Sequence, residues 1–232
     1  VERLVEMLGS VATATLASQL RKRGLDDCML DGLASTRPEL KLVGRARTLR
    51  YLPYRADLFR ARGGGMNAQK RSVEAIEPGE VLVIEARGDT SAGTIGDLLA
   101  YRAQHRGAAG IVTDGAIRDL VAIGELGIPT YHAGSHSAVL GRRHVPWETD
   151  VAVACAGVAI EPGELLVGDA DGVVVVPVEV AEDVARDAVE QERQERFIAE
   201  QLRAGASVVG LYPVGEEWQE AYATWCKKQA PR

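Results

Sequence analysis

Apolar positions along this chain fall in short blocks whose period switches between helical and strand-like. Residues 2–22 read as one helix, and 42–52 (LVGRARTLRYL) alternates as a strand. A short helix is expected at 69–76 and a strand at 81–86, after the Pro78-Gly79 turn. In 94–106 (TIGDLLAYRAQHR), Ile95, Leu98, Leu99 and Ala103 recur at near-helical spacing, and Gly107 supplies the stop signal. A buried-type strand is predicted at 109–113, a turn at Asp114-Gly115, a helix near 117–125 and a strand at 128–132. Further strands are expected at 151–160, 164–167 and 173–176. This alternation defines an α/β chain with a single domain.

The pattern changes at Glu179. The stretch 180–203 keeps helical spacing, but its apolar stripe is narrow and leads into the charge run EQERQERFIAEQLR (190–203) before Gly205. Such a helix projects from the body or packs on a partner subunit. Trp218, Tyr222 and Trp225 then share one helical face, a structural or interface anchor. The expected division is therefore an α/β catalytic unit over 1–178 and a helical extension over 179–232 at a subunit interface. The phrases EPGEVL (77–82) and EPGELL (161–166) are near-identical, and each reads as a Pro-Gly turn feeding a strand rather than as a duplication.

Composition narrows the function classes. With 232 residues, 46% of them hydrophobic, the chain buries one substantial core. Its net charge of −6 and pI near 5.4 argue against a general nucleic-acid binder. A local cluster of Arg55, Arg60, Arg62, Lys70 and Arg71 reads as a solvated face. Cys28, Cys155 and Cys226 show no zinc or disulfide spacing, and no signal peptide or long apolar run stands out. A cytoplasmic protein without membrane partners is expected, as is a segment preceding Val1.

The chemistry concentrates in Gly93-x-x-x-Asp97 and, after twenty intervening residues, Arg118-Asp119. A helix followed by a strand returns the chain so that the start of one lies near the end of the other, which lets Asp97 and Asp119 share a cleft. The first helical turn, placed at Gly93 to Leu98, offers unpaired amides and the positive end of the dipole to a substrate carboxylate. Arg118 offers a planar fork to a carboxylate or enolate oxygen, and Asp119 a hard oxygen ligand suited to Mg2+ or Mn2+. Lys41, Lys70, Lys227 and Lys228 all fall outside buried apolar strands, so no Schiff-base lysine is evident among them.

Other constellations read more simply. His132 and His136 are separated by Gly134 and Ser135, which disfavour a shared helix, so both are assigned to a loop. Gly63-Gly64-Gly65 lacks a following GK[ST] and reads as a flexible loop, and Asp169 and Asp171 in GDADG read as a tight turn.

The phrases GDLLA (96–100), GAAGIVTDGAIRD (107–119), GIPTYHAG (127–134) and EPGELLVGDADGVVVVP (161–177), framing the same motif, resemble the RraA-like group. The resemblance runs from about Arg47 to Pro177, over half the chain. That group includes class II 4-hydroxy-4-methyl-2-oxoglutarate aldolases, which also decarboxylate oxaloacetate, and non-catalytic regulators of ribonuclease activity. It implies a swivelling β/β/α sandwich assembling as a homotrimer or hexamer. By the same resemblance Asp119 binds the divalent metal, Asp97 acts through metal-bound water, and Arg118 stabilises the substrate oxyanion. Gly96, Asp97, Leu98, Leu99 and Arg118 form the implied substrate site. A glutamate from a neighbouring subunit completes the aldolase site, for which Glu192 and Glu195 are candidates. The chain departs from the shorter members in YRADLFRARGGGMNAQK (54–70) and in its tail. The leading expectation is a metal-dependent lyase acting on a small 2-oxo acid. The alternatives are a protein-binding regulator of RNA degradation, and a hydratase, isomerase or tautomerase of 2-oxo acids on the same site.

Overall fold

The computed structural model describes residues 2–229. In chain order it contains α1 (Glu2–Gly9), α2 (Thr13–Arg21), β1 (Met29–Leu30), β2 (Ala34–Ser35), β3 (Leu42–Pro53), α3 (Ala56–Arg62), α4 (Ala68–Glu74) and β4 (Glu80–Glu85). There follow α5 (Asp97–His105), β5 (Gly110–Ile117), α6 (Leu120–Gly124), β6 (Thr130–Ser135), β7 (His144–Thr149), β8 (Val153–Cys155) and β9 (Val158–Ile160). The chain closes with β10 (Leu165–Asp169), β11 (Gly172–Val176), α7 (Ala181–Arg203) and α8 (Glu216–Gln229).

One mixed sheet has the order β1-β11-β10-β3-β4-β5-β6-β2, with β7 also paired to β3. Strand β3 is its hinge. It runs parallel to β4 along one edge and antiparallel on the other, first to β10 and then to β7. Alternating residues of each strand face opposite sides. Leu82 and Ile84 enter a core under α4, α5 and α6, whereas Val81 and Val83 enter a core under the β8–β9 hairpin. Leu165, Val167, Val174 and Val176 meet α1, α2 and the first half of α7. The register of β3 with β10 and β4 puts both helical groups on one face, so the layers run hairpin, sheet, helices. This is the expected α/β architecture, a β/β/α sandwich carrying a C-terminal helical extension.

The extension is bipartite. Ala181, Val184, Ala185 and Ala188 are buried in the helical layer, while Phe197 and Ile198 belong to a separate cluster with α8. The aromatic face of α8 is turned to Phe197 of the same chain, with ring centroids 6.2 Å (Trp218), 5.3 Å (Tyr222) and 5.9 Å (Trp225) away. Among the described residues no helix is long and apolar enough to cross a membrane.

Four local expectations are corrected. The helix expected at 2–22 breaks into α1 and α2 because distant acceptors cap a new N-terminus. Asp169 accepts from Thr13 N and Oγ1, and Glu192 accepts from Ala12 N and Thr15 Oγ1. Asp114-Gly115 is not a turn but lies inside β5. The buried Asp114 carboxylate accepts from the amides of Ala86 and Gly88, and a Cβ at Gly115 would sit 2.5 Å from Thr94 Cγ2. Residues 151–160 form a hairpin rather than one strand, with Ala156 and Gly157 both left-handed in a two-residue turn. His132 stands on β6, buried, not in a loop.

Candidate active site

The expected helix at 94–106 begins three residues late, at Asp97, with Gly96 at its N-cap. The reason lies in the preceding residues, which extend the sheet instead of coiling. Gly93 bridges Ala116 in parallel, Thr94 N and Oγ1 both donate to Ala116 O, and Arg118 N donates to Ile95 O at 2.9 Å. Two buried side chains reinforce this strap from the other side. Gln69 Nε2 and Tyr51 Oη donate to Thr94 O at 2.7 and 3.0 Å. Burial pushes the Tyr51 phenol far up, so it remains a neutral donor.

The glycines of the motif are required by close approach to Arg118 and Asp119. A Cβ on Gly93 would overlap Arg118 Cγ, and one on Gly96 would lie 2.8 Å from Asp119 Oδ2. Asp119 itself adopts φ 57°, ψ 43°, a left-handed conformation that carries a cost of about 1–2 kcal/mol in a residue with a Cβ. The result is a tight meeting of the two ends of the motif. Asp97 N lies 3.5 Å from Asp119 Oδ2, beyond the range of a strong hydrogen bond.

A cavity of about 280 Å³ opens over this junction. Gly96, Asp97, Leu98, Leu99, Arg118 and Asp119, all singled out from the sequence, line it together. Arg118 Nε is buried without a hydrogen-bond partner, and among the described residues Arg118 forms no ion pair. An unsatisfied buried donor costs about 1–3 kcal/mol unless something bound here accepts from it. The Asp97 carboxylate is oriented by Leu98 N at 2.8 Å. Leu98 and Val139 of the lining are exposed, as are Leu120 and Val121, which follow Asp119 in α6.

Gly93, Thr94 and Ile95 of the strap also line it, and the remaining wall, Gln69, Val139 and Leu140, was not legible in the sequence. The wall at 139–140 is held by Gly93 N donating to Ala138 O, and Phe59 of α3 packs on Gly141 just beyond. The sequence offered only the unusual 54–70 segment as a signal.

The donor set suits a hard cation. Magnesium typically retains waters and takes one or two protein carboxylates with substrate oxygens, which Asp119 and Asp97 can supply. Among the described residues no group of three or more His, Cys, Asp or Glu is placed to hold a metal ion. His132 is buried on β6, which lowers its pKa, and His136 Nδ1 accepts from Ala138 N. Glu192 and Glu195 are outside this lining. Glu192 binds the start of α2, and Glu195 accepts from Gln191 Nε2.

Comparison with known proteins bears on the same segment. Residues 13–175 match the family model RraA-like, described as Aldolase/RraA. A protein of Halalkalibacterium halodurans named "Putative 4-hydroxy-4-methyl-2-oxoglutarate aldolase" is 36% identical over 186 residues, covering 75% of this chain and 83% of its own. The crystal structure of Streptomyces coelicolor RraAS2, described as an unusual member of the RNase ES inhibitor RraA protein family, superposes with TM-score 0.77 at 37% identity. It covers 84% of this chain and 94% of its own. An uncharacterized protein from Pseudomonas syringae pv. tomato matches with TM-score 0.80 at 26% identity, over 91% of this chain and 98% of its own. The family model spans the strap, the cavity and the sheet beneath them, and the chain belongs to the RraA-like family.

Proposed function

We propose that this chain is a divalent-metal-dependent lyase that cleaves a C–C bond of a 2-oxo acid through a pyruvate enolate, as 4-hydroxy-4-methyl-2-oxoglutarate aldolases and oxaloacetate decarboxylases do. The observation that carries the reading is Arg118. Its buried Nε has no partner, and it shares a cavity with two carboxylates that do not neutralise it.

Asp119, with Asp97 through an intervening water, is the set that would hold Mg2+ or Mn2+. When bound, the cation supplies Lewis-acid polarisation of the 2-oxo group. In the first turn of α5, where Leu98 N already holds the Asp97 carboxylate, the Leu99 amide receives the substrate carboxylate, favoured by the helix dipole. As the C–C bond breaks, its electron pair moves toward the former keto oxygen, where the Arg118 guanidinium steadies the enolate. In the aldol case Asp97 takes the hydroxyl proton of the departing carbonyl fragment through water. In the decarboxylation case carbon dioxide leaves without that transfer. Protonation of the enolate carbon then yields pyruvate. None of Lys22, Lys41, Lys70, Lys227 and Lys228 lines the cavity, which supports metal rather than Schiff-base chemistry.

Oxaloacetate consumption coupled to pyruvate release should require Mg2+ or Mn2+ and stop in excess EDTA, and borohydride with substrate should leave no covalent adduct. Full activity in EDTA, or an adduct on any lysine, would overturn the reading. The 37% identity to RraAS2 supports a second reading, a protein-binding regulator of ribonuclease activity. That role needs no metal, and absence of turnover on any 2-oxo acid under saturating cation would favour it. A trimer or hexamer that covers exposed Leu98 and Val121 fits either reading.

A further inference from the structure

A second cavity, of about 180 Å³, lies between the glycine loop after α3, the start of α4, and β7. Its lining includes Arg62, Gly64, Asn67, Arg71, Pro146 and Trp147, with no carboxylate. We propose that it binds a small dianionic oxyanion, either a phosphate group or a short dicarboxylate.

The charge there is unspent. Arg55, earlier in the same segment, pairs with Asp57, but among the described residues Arg60, Arg62 and Arg71 pair with no carboxylate. In a chain of net charge −6 this is a local excess of the opposite sign. The guanidiniums are also restrained. That of Arg62 stacks over Trp147, 3.9 Å from the ring centroid, and Arg71 Nη1 donates to Met66 O at 2.6 Å. Each keeps further N–H donors in a planar fork, the geometry that binds paired anionic oxygens.

The backbone adds donors of the same kind. Among the described residues the amides of Gly64, Gly65 and Met66 donate to no protein acceptor. The loop that carries them is closed by Asn67, whose Nδ2 donates to Gly63 O at 2.8 Å and whose Oδ1 accepts from Lys70 N at 3.0 Å. Successive free amides in such a turn form an anion-binding concavity. The volume equals that of about six waters, enough for one oxyanion with a short tail.

The test is calorimetric titration of the full chain, at constant ionic strength in chloride, with inorganic phosphate, glycerol 3-phosphate and malonate. At least one should bind saturably with one site per chain. Phosphate and its ester binding above malonate identifies a phosphate ligand, and the reverse identifies a dicarboxylate. Arg62→Gln and Arg71→Gln should each weaken binding at least tenfold, with circular dichroism unchanged, whereas Asp119→Asn should leave it intact. No saturable binding by any of the three anions would overturn the proposal. So would equal binding by both glutamine variants, or loss of binding in Asp119→Asn, which would place the anion in the other cavity.

Discussion

Asp169 and Asp119 both stand where a strand of the central sheet gives out, and their surroundings could hardly differ more. Asp169 accepts from Thr13 N (2.9 Å), Thr13 Oγ1 (2.6 Å), Lys41 Nζ (2.9 Å) and Asp171 N (3.0 Å). It ties the start of α2 to the end of β10 and has little acceptor capacity left. Among the described residues the Asp119 carboxylate receives only the long contact from Asp97 N, beside an arginine with an idle buried donor. Both lie in conspicuous Asp- and Gly-rich phrases. What separates them is whether the fold itself consumes their hydrogen bonds, and the carboxylate left over is the one available for chemistry.

The largest effect that tests this contrast is at Asp119. Asn keeps the shape and the left-handed backbone but removes the charge, so turnover should fall by at least the 10²–10³-fold seen when one preorganised stabilising group is lost. Calorimetric cation titration should show weakened binding, while thermal stability stays near wild type. Unchanged cation affinity would remove Asp119 from the metal site. Arg118→Lys sharpens the comparison within the site. It keeps the charge and loses the fork, so turnover should drop on the order of 10²-fold with cation affinity nearly intact. Wild-type turnover in this variant would end the role assigned to Arg118.

The converse belongs to Asp169. Asp169→Ala leaves the Thr13 amide and hydroxyl without their acceptor and Lys41 with Val11 O alone, and should destabilise the chain by about 2 kcal/mol, discounted for a side chain 21% exposed. Urea unfolding measures this. A smaller companion effect is its pH dependence. Burial alone pushes the Asp169 carboxyl up, but hydrogen bonds from Thr13, Lys41 and Asp171 outweigh it and hold the group below the usual carboxylate range. A depressed folded-state pKa gives stability that is complete above the unfolded value, about 3.9, and lost as pH falls through the folded one. The gap in stability between wild type and Asp169→Ala should therefore narrow on acidification below about pH 4. A gap constant down to pH 2 would show that the carboxylate charge contributes nothing.

Sequence legibility followed the same division between local and distant causes. The two EPGE phrases do form matching turns: Glu77 N and Glu161 N each donate to the carboxylate three residues on, at 2.8 Å. Yet one feeds β4, parallel to β3, and the other β10, antiparallel to it, because strand direction is set by the rest of the chain. The juxtaposition of Asp97 with Asp119 followed from helix–strand connectivity alone. The break before Thr13 did not, since its capping acceptors come from Asp169 and Glu192, far along the chain. Gln69 and the 139–140 wall were hidden for the same reason. Asp114-Gly115 misled because turn-type residues here serve burial: the carboxylate feeds a neighbouring loop, and the missing Cβ makes room for Thr94 and Ala86.

The left-handed backbone at Asp119 also makes this position a two-way sieve for a saturation library. One filter is conformational and passes Gly, Asn and Asp at least cost. The other is electrostatic and passes Asp and Glu. Asn and Gly variants therefore report loss of the carboxylate on an intact turn, while Glu reports a displaced carboxylate on a strained one. Asp alone clears both filters, so ranking these variants by folding and by turnover separates, at a single codon, what the backbone demands from what the reaction demands.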